Sequence, residues 1–437
     1  MGTQLQAANL SPEDFTLTPE DRFSAKVQEV ARGLEQPFLE GCNEILNFTR
    51  PDVVQAIHER YFEAGSDMVE TNTFGSTSVV LAEYSIPELV YECSYAAGEI
   101  AVRAAKKYST ADRPRFAVGA IGPGTKLVSL GQTTFQEIES TYCTSLTALI
   151  EAGVDALLLE TLQDLLMVKA AVVGAERAMS ETGKRLPLFV QVTMEQTGTM
   201  LLGSEIGAAL NMLEAFPGVV AVGVNCATGP VEMAPHVRFL GQNSTRPISV
   251  QPNAGLPIME GGRAVYKLTP EDLARHHEHF VTDFGVAMCG GCCGTTPAHI
   301  KAVSEALQGR SHGDAAHWRV VRGLFPGFDF DLGGSARDAA LEERAGAVKL
   351  VGCSSLYAFQ PYKQDASFLI VGEKTNANGS KAFREMLAAE NWEGLTELAR
   401  ELEGEGSHVG DKLVTLSIGS LTARYTVPPN QTSSPPQ

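Results

Sequence analysis

The chain has 437 residues and a formal charge of −18, from 34 Lys and Arg against 52 Asp and Glu. That balance repels phosphate backbones and anionic lipid, so nucleic-acid and membrane-surface binding are set aside. Hydrophobic residues make up 44%, enough for a large core. No apolar run approaches the roughly 18 residues of a membrane span, and residues 1–14 lack a signal-peptide core, so a cytoplasmic protein is expected.

From Pro51 to His299, helical stretches alternate with short apolar strands. Thr49 reads as the cap of a helix with Pro51 in its first turn. Val54, Ile57, Tyr61 and Ala64 share one face of it, and Gly65 stops it. Strands are then expected at Met68 and Val69, closing in Glu70 to Thr73, and at 116–121, closing in Gly122-Pro123-Gly124. Further strands are expected at 154–159, before Glu160-Thr161, and at 188–192, before Thr193-Met194-Glu195. The last three lie at 219–224, before Asn225-Cys226, at 248–250, before Gln251-Pro252-Asn253, and at 286–288, before Cys289 and a Gly-Gly-Cys-Cys-Gly run. Helices at 270–281, capped by Thr269, and at 297–307, capped by Thr296, flank the final strand.

Buried strands alternating with helices predict an α/β fold with a parallel sheet. Seven strands, each with a polar or glycine-rich C-terminal end, predict a (β/α)8 TIM-type barrel lacking its first strand. A doubly wound open sheet is the competing architecture, but no G-x-G-x-x-G follows a strand. After Gly309 the pattern changes. With 1–307 as the barrel, 308–366 reads as a linker and 367–427 as an incomplete second α/β barrel segment. That segment is expected to hold strands at 368–371 and 409–416 and helices at 381–387 and 392–402. Residues 428–437 read as a disordered tail.

Eight cysteines are too few for a disulfide scaffold in a chain of this length. Cys42, Cys93, Cys143 and Cys353 fall at core or helix positions, whereas Cys289, Cys292 and Cys293 crowd together and Cys226 ends a strand. Parallel strands of a barrel end on one rim, so Cys226, Cys292 and Cys293 are expected to converge. Three protein ligands with one open position is the pattern of catalytic zinc. Gly290, Gly291 and Gly294 are expected to supply the positive φ that turns two adjacent side chains to one centre. The helix opening at Thr295-Thr296-Pro297 favours thiolate charge nearby. Two other readings stand beside this one: a buried pair of small apolar cysteines, and a C-x-x-C redox pair of Cys289 and Cys292. His276, His277 and His279 share a helix with Glu271, Asp272 and Glu278 and read as surface histidines.

At these residues the chain resembles the homocysteine S-methyltransferase family, and within it the homocysteine-binding half of cobalamin-dependent methionine synthases. The matching segments include Met1-Gly-Thr-Gln-Leu-Gln, Gly65-Ser-Asp-Met-Val-Glu-Thr-Asn-Thr-Phe-Gly75, Gly119-Ala-Ile-Gly-Pro-Gly124, Leu157-Leu-Leu-Glu-Thr161, Gly223-Val-Asn-Cys226, Gln251-Pro-Asn-Ala-Gly255 and Gly290-Gly-Cys-Cys-Gly-Thr-Thr-Pro297. They span residues 1 to about 307. The run Phe368-Leu-Ile-Val-Gly-Glu-Lys-Thr-Asn-Ala-Asn-Gly-Ser380 looks like the opening of the family's folate-binding barrel.

The resemblance implies zinc on Cys226, Cys292 and Cys293, with Asn253 filling the fourth site before substrate arrives. It implies homocysteine as substrate, with Glu160 on its ammonium and Asn72, Thr73 and Asn225 as further contacts. It implies methylcobalamin as methyl donor, methionine as product and a cobalamin-bearing domain or protein as partner. The chain departs from the family pattern in three places. The strand and Asp-Gly-Ala that precede Met-Gly-Thr are missing, the folate-like segment is too short for a barrel, and Asp411-Lys-Leu stands where the family has Asp-x-Asn. No cobalamin-binding or reactivation segment is recognisable. Two other outcomes are therefore carried with the enzyme: a truncated chain that binds zinc or homocysteine without turnover, and a methyltransferase using another donor.

Overall fold

The computed structural model describes residues 1–20, 22–260, 263–308 and 352–362, with shorter stretches up to residue 422. Contacts divide the chain into one unit of Met1–Leu350 with Ser354–Phe359 and a second of Val351–Cys353 with Gln360–Gln437.

The first unit is built on a curled, wholly parallel sheet of seven strands. β1 (Met68–Glu70), β2 (Phe116–Ile121), β3 (Ala156–Leu162), β4 (Leu188–Val192), β5 (Val219–Asn225) and β6 (Ile248–Gln251) pair in chain order. An antiparallel hairpin of β7 (Ile258–Glu260) and β8 (Arg263–Val265) follows. The last sheet strand, β9 (Met288–Cys289), pairs with β6. This is the TIM-type architecture expected, with β1 and β9 left as edges.

Side-chain alternation decides what each strand presents. Met68, Val118, Ala120, Ala156, Leu158, Phe189, Ala221 and Met288 pack together inside the curl. Their neighbours Val69, Ala117, Leu157, Leu159, Val190 and Val222 face the helices in the main core. Burying each such leucine stabilises the fold by about 1.5–3 kcal/mol. Continued at the same period of two, the inward faces reach Glu70, Glu160, Asn225 and Gln251 at the C-terminal ends. The period of two thus places polar side chains at the mouth.

The helices end where the backbone requires it. Phe135–Ala152 begins at Thr134, whose hydroxyl accepts from the Glu137 N–H, and stops at Gly153 with φ 89°. Leu165–Thr182 is capped by Asp164, and Pro270–Phe284 by Thr269, the latter running three residues past the expected end to Gly285. A side cluster of Leu17, Phe23, Leu39, Ile45, Leu81 and Ile86 packs the segment before Pro51 against the loop after β1.

Some local expectations are corrected. Arg50, not Thr49, occupies the cap of the Pro51–Glu63 helix, because the Thr49 hydroxyl donates to the Asp14 carbonyl 2.6 Å away. β3 begins two residues late and runs on to Leu162 through a register shift at Thr161, which sits at φ 58°. The final strand is shifted to Met288–Cys289.

The unpaired edges of the sheet are joined by side chains. Gln251 Nε2 donates to Glu70 Oε1 at 2.7 Å, Tyr61 Oη donates to the Thr295 carbonyl at 3.0 Å, and Ser304 Oγ donates to the Gly65 carbonyl at 3.5 Å.

Residues 354–359 lie against the helix Ile206–Glu214. Ser354 Oγ donates to the Ala208 carbonyl and accepts from Asn211, and the Glu205 N–H donates to the Tyr357 carbonyl. In the second unit, Val371–Gly372 pairs in parallel with Val409–Gly410, and a helix runs over Lys381–Ala388, capped by Ser380. The rest of the expected linker, most of the 368–371 and 409–416 strands and the tail from 428 to 437 lie outside the described residues. No helix among the described residues is long and apolar enough to cross a membrane.

Candidate functional site

β5 delivers Cys226 to the mouth and the loop after β9 delivers Cys292 and Cys293. The three sulfurs all lie within 4.8 Å of one another, and Cys226 Sγ is 3.7 Å from Cys293 Sγ. A tetrahedral centre with metal–sulfur bonds of about 2.3 Å has edges of about 3.8 Å. The donor set is three soft thiolates with one position free of protein sulfur, which suits zinc. Cys226 and Ala227 both hold left-handed backbone, at φ 59° and 57°. Such strain in non-glycine residues costs on the order of 1 kcal/mol each and here turns the chain sharply off β5.

The thiol loop is tied at nearly every peptide. The Gly290 N–H donates to the Val250 carbonyl, the Cys292 N–H to that of Pro252, and the Ala254 N–H to that of Cys293. Thr295 Oγ1 donates to the Cys292 carbonyl at 2.7 Å. Of the three glycines expected at positive φ, only Gly294 is there, at 78°. Gly290 and Gly291 are needed for space instead. A Cβ on Gly291 would meet Thr295 Cγ2 at 2.3 Å, and one on Gly290 would press on Gln251 Cγ at 3.0 Å. The following helix, Pro297–Leu307, starts as expected at Thr296, whose N–H donates to His299 Nδ1.

The three sulfurs share their protons unequally. Hydrogen bonds from Cys226 and Cys292 hold Cys293 far below an ordinary thiol, and Cys292, which donates to the other two, is held well above. Cys289 does not join them. As the last strand residue it faces outward among the helices, against both core clusters there, and burial pushes its thiol up to about 12. A neutral, helix-facing thiol is a poor partner for Cys292 in a redox pair.

Glu160 lies inside the mouth, buried, and Asn225 joins it to the cysteine strand. Asn225 Nδ2 donates to Glu160 Oε2 at 3.2 Å and to Thr161 Oγ1 at 2.8 Å, while Oδ1 accepts from the Thr161 N–H at 2.8 Å. Burial, with the Glu70 carboxylate adding to it, pushes Glu160 up to about 8. Asn253 sits between the two cysteine loops, where Oδ1 accepts from the Cys293 N–H at 3.0 Å and its own N–H donates to the Thr228 carbonyl. The side chains of Asn72 and Thr73 bond into the framework. Asn72 Nδ2 donates to the Asn43 carbonyl and to Asn47, and Thr73 Oγ1 donates to the Ala120 carbonyl.

Sequence reasoning passed over three residues here. Glu70 is a second buried carboxylate at the mouth, held by Gln251 and raised in pKa chiefly by burial. Its signal was the strand alternation that also points Glu160 inward. Tyr266, just after β8, packs its ring on Gly294 and hydrogen-bonds to the Cys293 sulfur; burial first, then Cys293, pushes the phenol up to about 12. His277 is not a surface histidine. It is fully buried, with Nε2 2.7 Å from the Gly290 carbonyl oxygen, whereas His279 is exposed as expected.

The family model for homocysteine S-methyltransferases matches residues 1–307. Methionine synthase of Mycobacterium tuberculosis is 44% identical over 414 residues, covering 95% of this chain and 30% of that protein. Methionine synthase of Mycobacterium leprae is also 44% identical over 414 residues, with the same coverage. The chain thus spans 30% of the length of these two relatives. Among solved structures, the metallated form of the homocysteine methyltransferase MmuM from Escherichia coli aligns with a TM-score of 0.52 over 70% of this chain and 93% of that one. At 18% identity, that likeness is one of fold.

Proposed function

The chain belongs to the homocysteine S-methyltransferase family, and on that premise we propose that it is a zinc-dependent methyltransferase that passes a methyl group from methylcobalamin to homocysteine, forming methionine. The observation that carries the reading is the convergence of Cys226, Cys292 and Cys293 within 4.8 Å at the mouth of the sheet. These three residues would hold the zinc, with Asn253 beside them as fourth ligand in the absence of substrate. When bound, zinc supplies a positive charge that deprotonates a coordinated thiol at neutral pH.

The chain's own residues do the rest. Glu160 receives the substrate ammonium, and loses its proton in doing so because the arriving cation offsets burial. Asn225 holds the Glu160 carboxylate at the strand end next to Cys226. Asn72 and Thr73 shape the loop after β1 through their framework bonds. The homocysteine thiolate attacks the methyl carbon, and the electron pair of the broken bond stays with the donor.

The donor comes from outside the described fold. Phe74, Leu130, Leu166, Leu201, Val231 and Met259 are all exposed, and they follow β1 to β6 in turn. Bare apolar side chains after six successive strands suit a partner surface, and a cobalamin-bearing domain or protein is the partner proposed.

The test is zinc per chain on purified protein, followed by methyl transfer from free methylcobalamin to homocysteine. About one zinc, lost in Cys226→Ser together with methionine formation, supports the enzyme. Zinc without turnover supports the binding-only reading, and turnover with a different methyl donor alone would replace the cobalamin part of the proposal. Soluble chain that takes up no zinc overturns it.

A further inference from the structure

The glycine run ahead of Cys292 is held from behind by a helix. His277 lies on Pro270–Phe284 and is fully buried, packed edge-on against Phe280 with ring centroids 6.0 Å apart. Its Nε2 is 2.7 Å from the Gly290 carbonyl oxygen. A carbonyl only accepts, so Nε2 carries the proton, and Nδ1 is buried without a partner. Burial pushes the ring down to about 4, so it is neutral at pH 7. The Gly290 N–H meanwhile donates to the Val250 carbonyl of β6. Gly290 is therefore clamped on both sides, its amide to the sheet and its carbonyl to the helix. Gly291, which has no side chain to anchor it, is all that separates this clamp from Cys292.

We infer that His277 is a positioning residue for the thiol centre: its Nε2–H fixes the Gly290 carbonyl and thereby sets the reach of Cys292 and Cys293 toward Cys226. The inference rests on the metal reading proposed above. Without the donor, the two-glycine tether has no partner on its helix side, and the registration of the cysteines is left to the bonds with Pro252, Asn253, Ala254 and Thr295. Groups that orient metal ligands from behind typically change metal affinity by about 10–100-fold when removed.

The test uses the full chain with two substitutions. His277→Phe keeps a ring against Phe280 but has no donor, and His277→Gln keeps a donor. Zinc affinity is measured by competition with a chromophoric chelator, and amide hydrogen exchange of residues 289–295 is measured in metal-free protein. His277→Phe is expected to weaken zinc by about 10–100-fold and to speed exchange in 289–295 while leaving 270–284 unchanged. His277→Gln is expected to restore most of both. Wild-type zinc affinity and exchange in His277→Phe overturn the inference, as does exchange that rises equally along 270–284, which marks general packing. Should the wild-type chain take no zinc, the metal reading fails, and exchange at 289–295 alone decides the role of His277. If His277→Phe does not fold, His277→Leu takes its place in the same comparison.

Discussion

Gln251 donates its amide to the Glu70 carboxylate across 2.7 Å, tying the end of β6 to the end of β1 over the side of the sheet where the edge strands do not pair. Replacing Gln251 by Leu leaves a buried carboxyl without its donor. Losing a buried partner costs about 1–3 kcal/mol. Urea unfolding is expected to show that loss for Gln251→Leu, and a smaller one for the pair Gln251→Leu with Glu70→Leu, in which neither polar group remains. Equal stability of Gln251→Leu and wild type would remove this contact from the account of the fold.

Glu160, raised to about 8, is protonated in the empty site at pH 7 and must ionise to meet an ammonium. Homocysteine KM is therefore expected to fall as pH rises toward 8. Glu160→Gln cannot ionise, so that part of the profile should flatten. Loss of a charged hydrogen bond of about 1.5–3 kcal/mol corresponds to a KM roughly 10–150-fold higher at pH 8. The comparison of the two KM profiles is the measurement, since the pH dependence of the substrate thiol is common to both. Parallel profiles would take Glu160 out of substrate binding.

Gly294 combines φ 78° with the Tyr266 ring where a Cβ would stand, 2.3 Å from Cγ. Gly294→Ala is expected to displace Tyr266 and the Cys293 backbone together and to lower zinc per chain well below one. Cys289→Ser is the control, because Cys289 faces the helices, and it should keep its zinc. Elemental analysis of both proteins reads the result; zinc retained by Gly294→Ala, or lost from Cys289→Ser, contradicts the site as drawn.

His58, fully buried on the Pro51–Glu63 helix, is pushed down to about 3 by burial. In the unfolded chain an imidazole titrates near 6.5. Below that value the unfolded state takes up a proton that the folded state does not. The stabilisation is thus complete above about 6.5 and declines as pH falls toward 3, by at most about 1.4 kcal/mol per pH unit. Urea unfolding between pH 6.5 and 4.5 is expected to have a steeper pH dependence in wild type than in His58→Leu, by one proton. Identical slopes would contradict the burial of a neutral ring.

What the sequence discloses follows from which forces are local. β2 and β4 were expected at the residues they occupy, because continuous apolar runs bounded by turn residues admit few other placements. The three cysteines were legible because strand ends in a parallel sheet share a rim, whatever lies between them. β3 was expected to stop before Glu160; a bulge at Thr161, visible only in the pairing with β4, carries it to Leu162. His277 was misread because its helix is charged on the other face, and one-dimensional spacing does not say which face meets a glycine run thirteen residues on. Tyr266 left no local signal at all, since its role depends on Gly294, distant in sequence and adjacent in space.

The side-chain fastening between β1 and the end of the sheet also has a mechanical consequence. Elsewhere around the curl, stretching must break a ladder of backbone hydrogen bonds between strands, several at once. Along this seam the bonds among the described residues come from side chains: Gln251 to Glu70, Tyr61 to Thr295, Ser304 to Gly65, and Thr3 to the Gly294 N–H. Compliance is concentrated there, so strain on the seven-stranded sheet is expected to part its two edges before the strand pairs within it. The cysteine loop, fixed to β6 on one side and fastened to Tyr61 on the other, rides on the edge that moves.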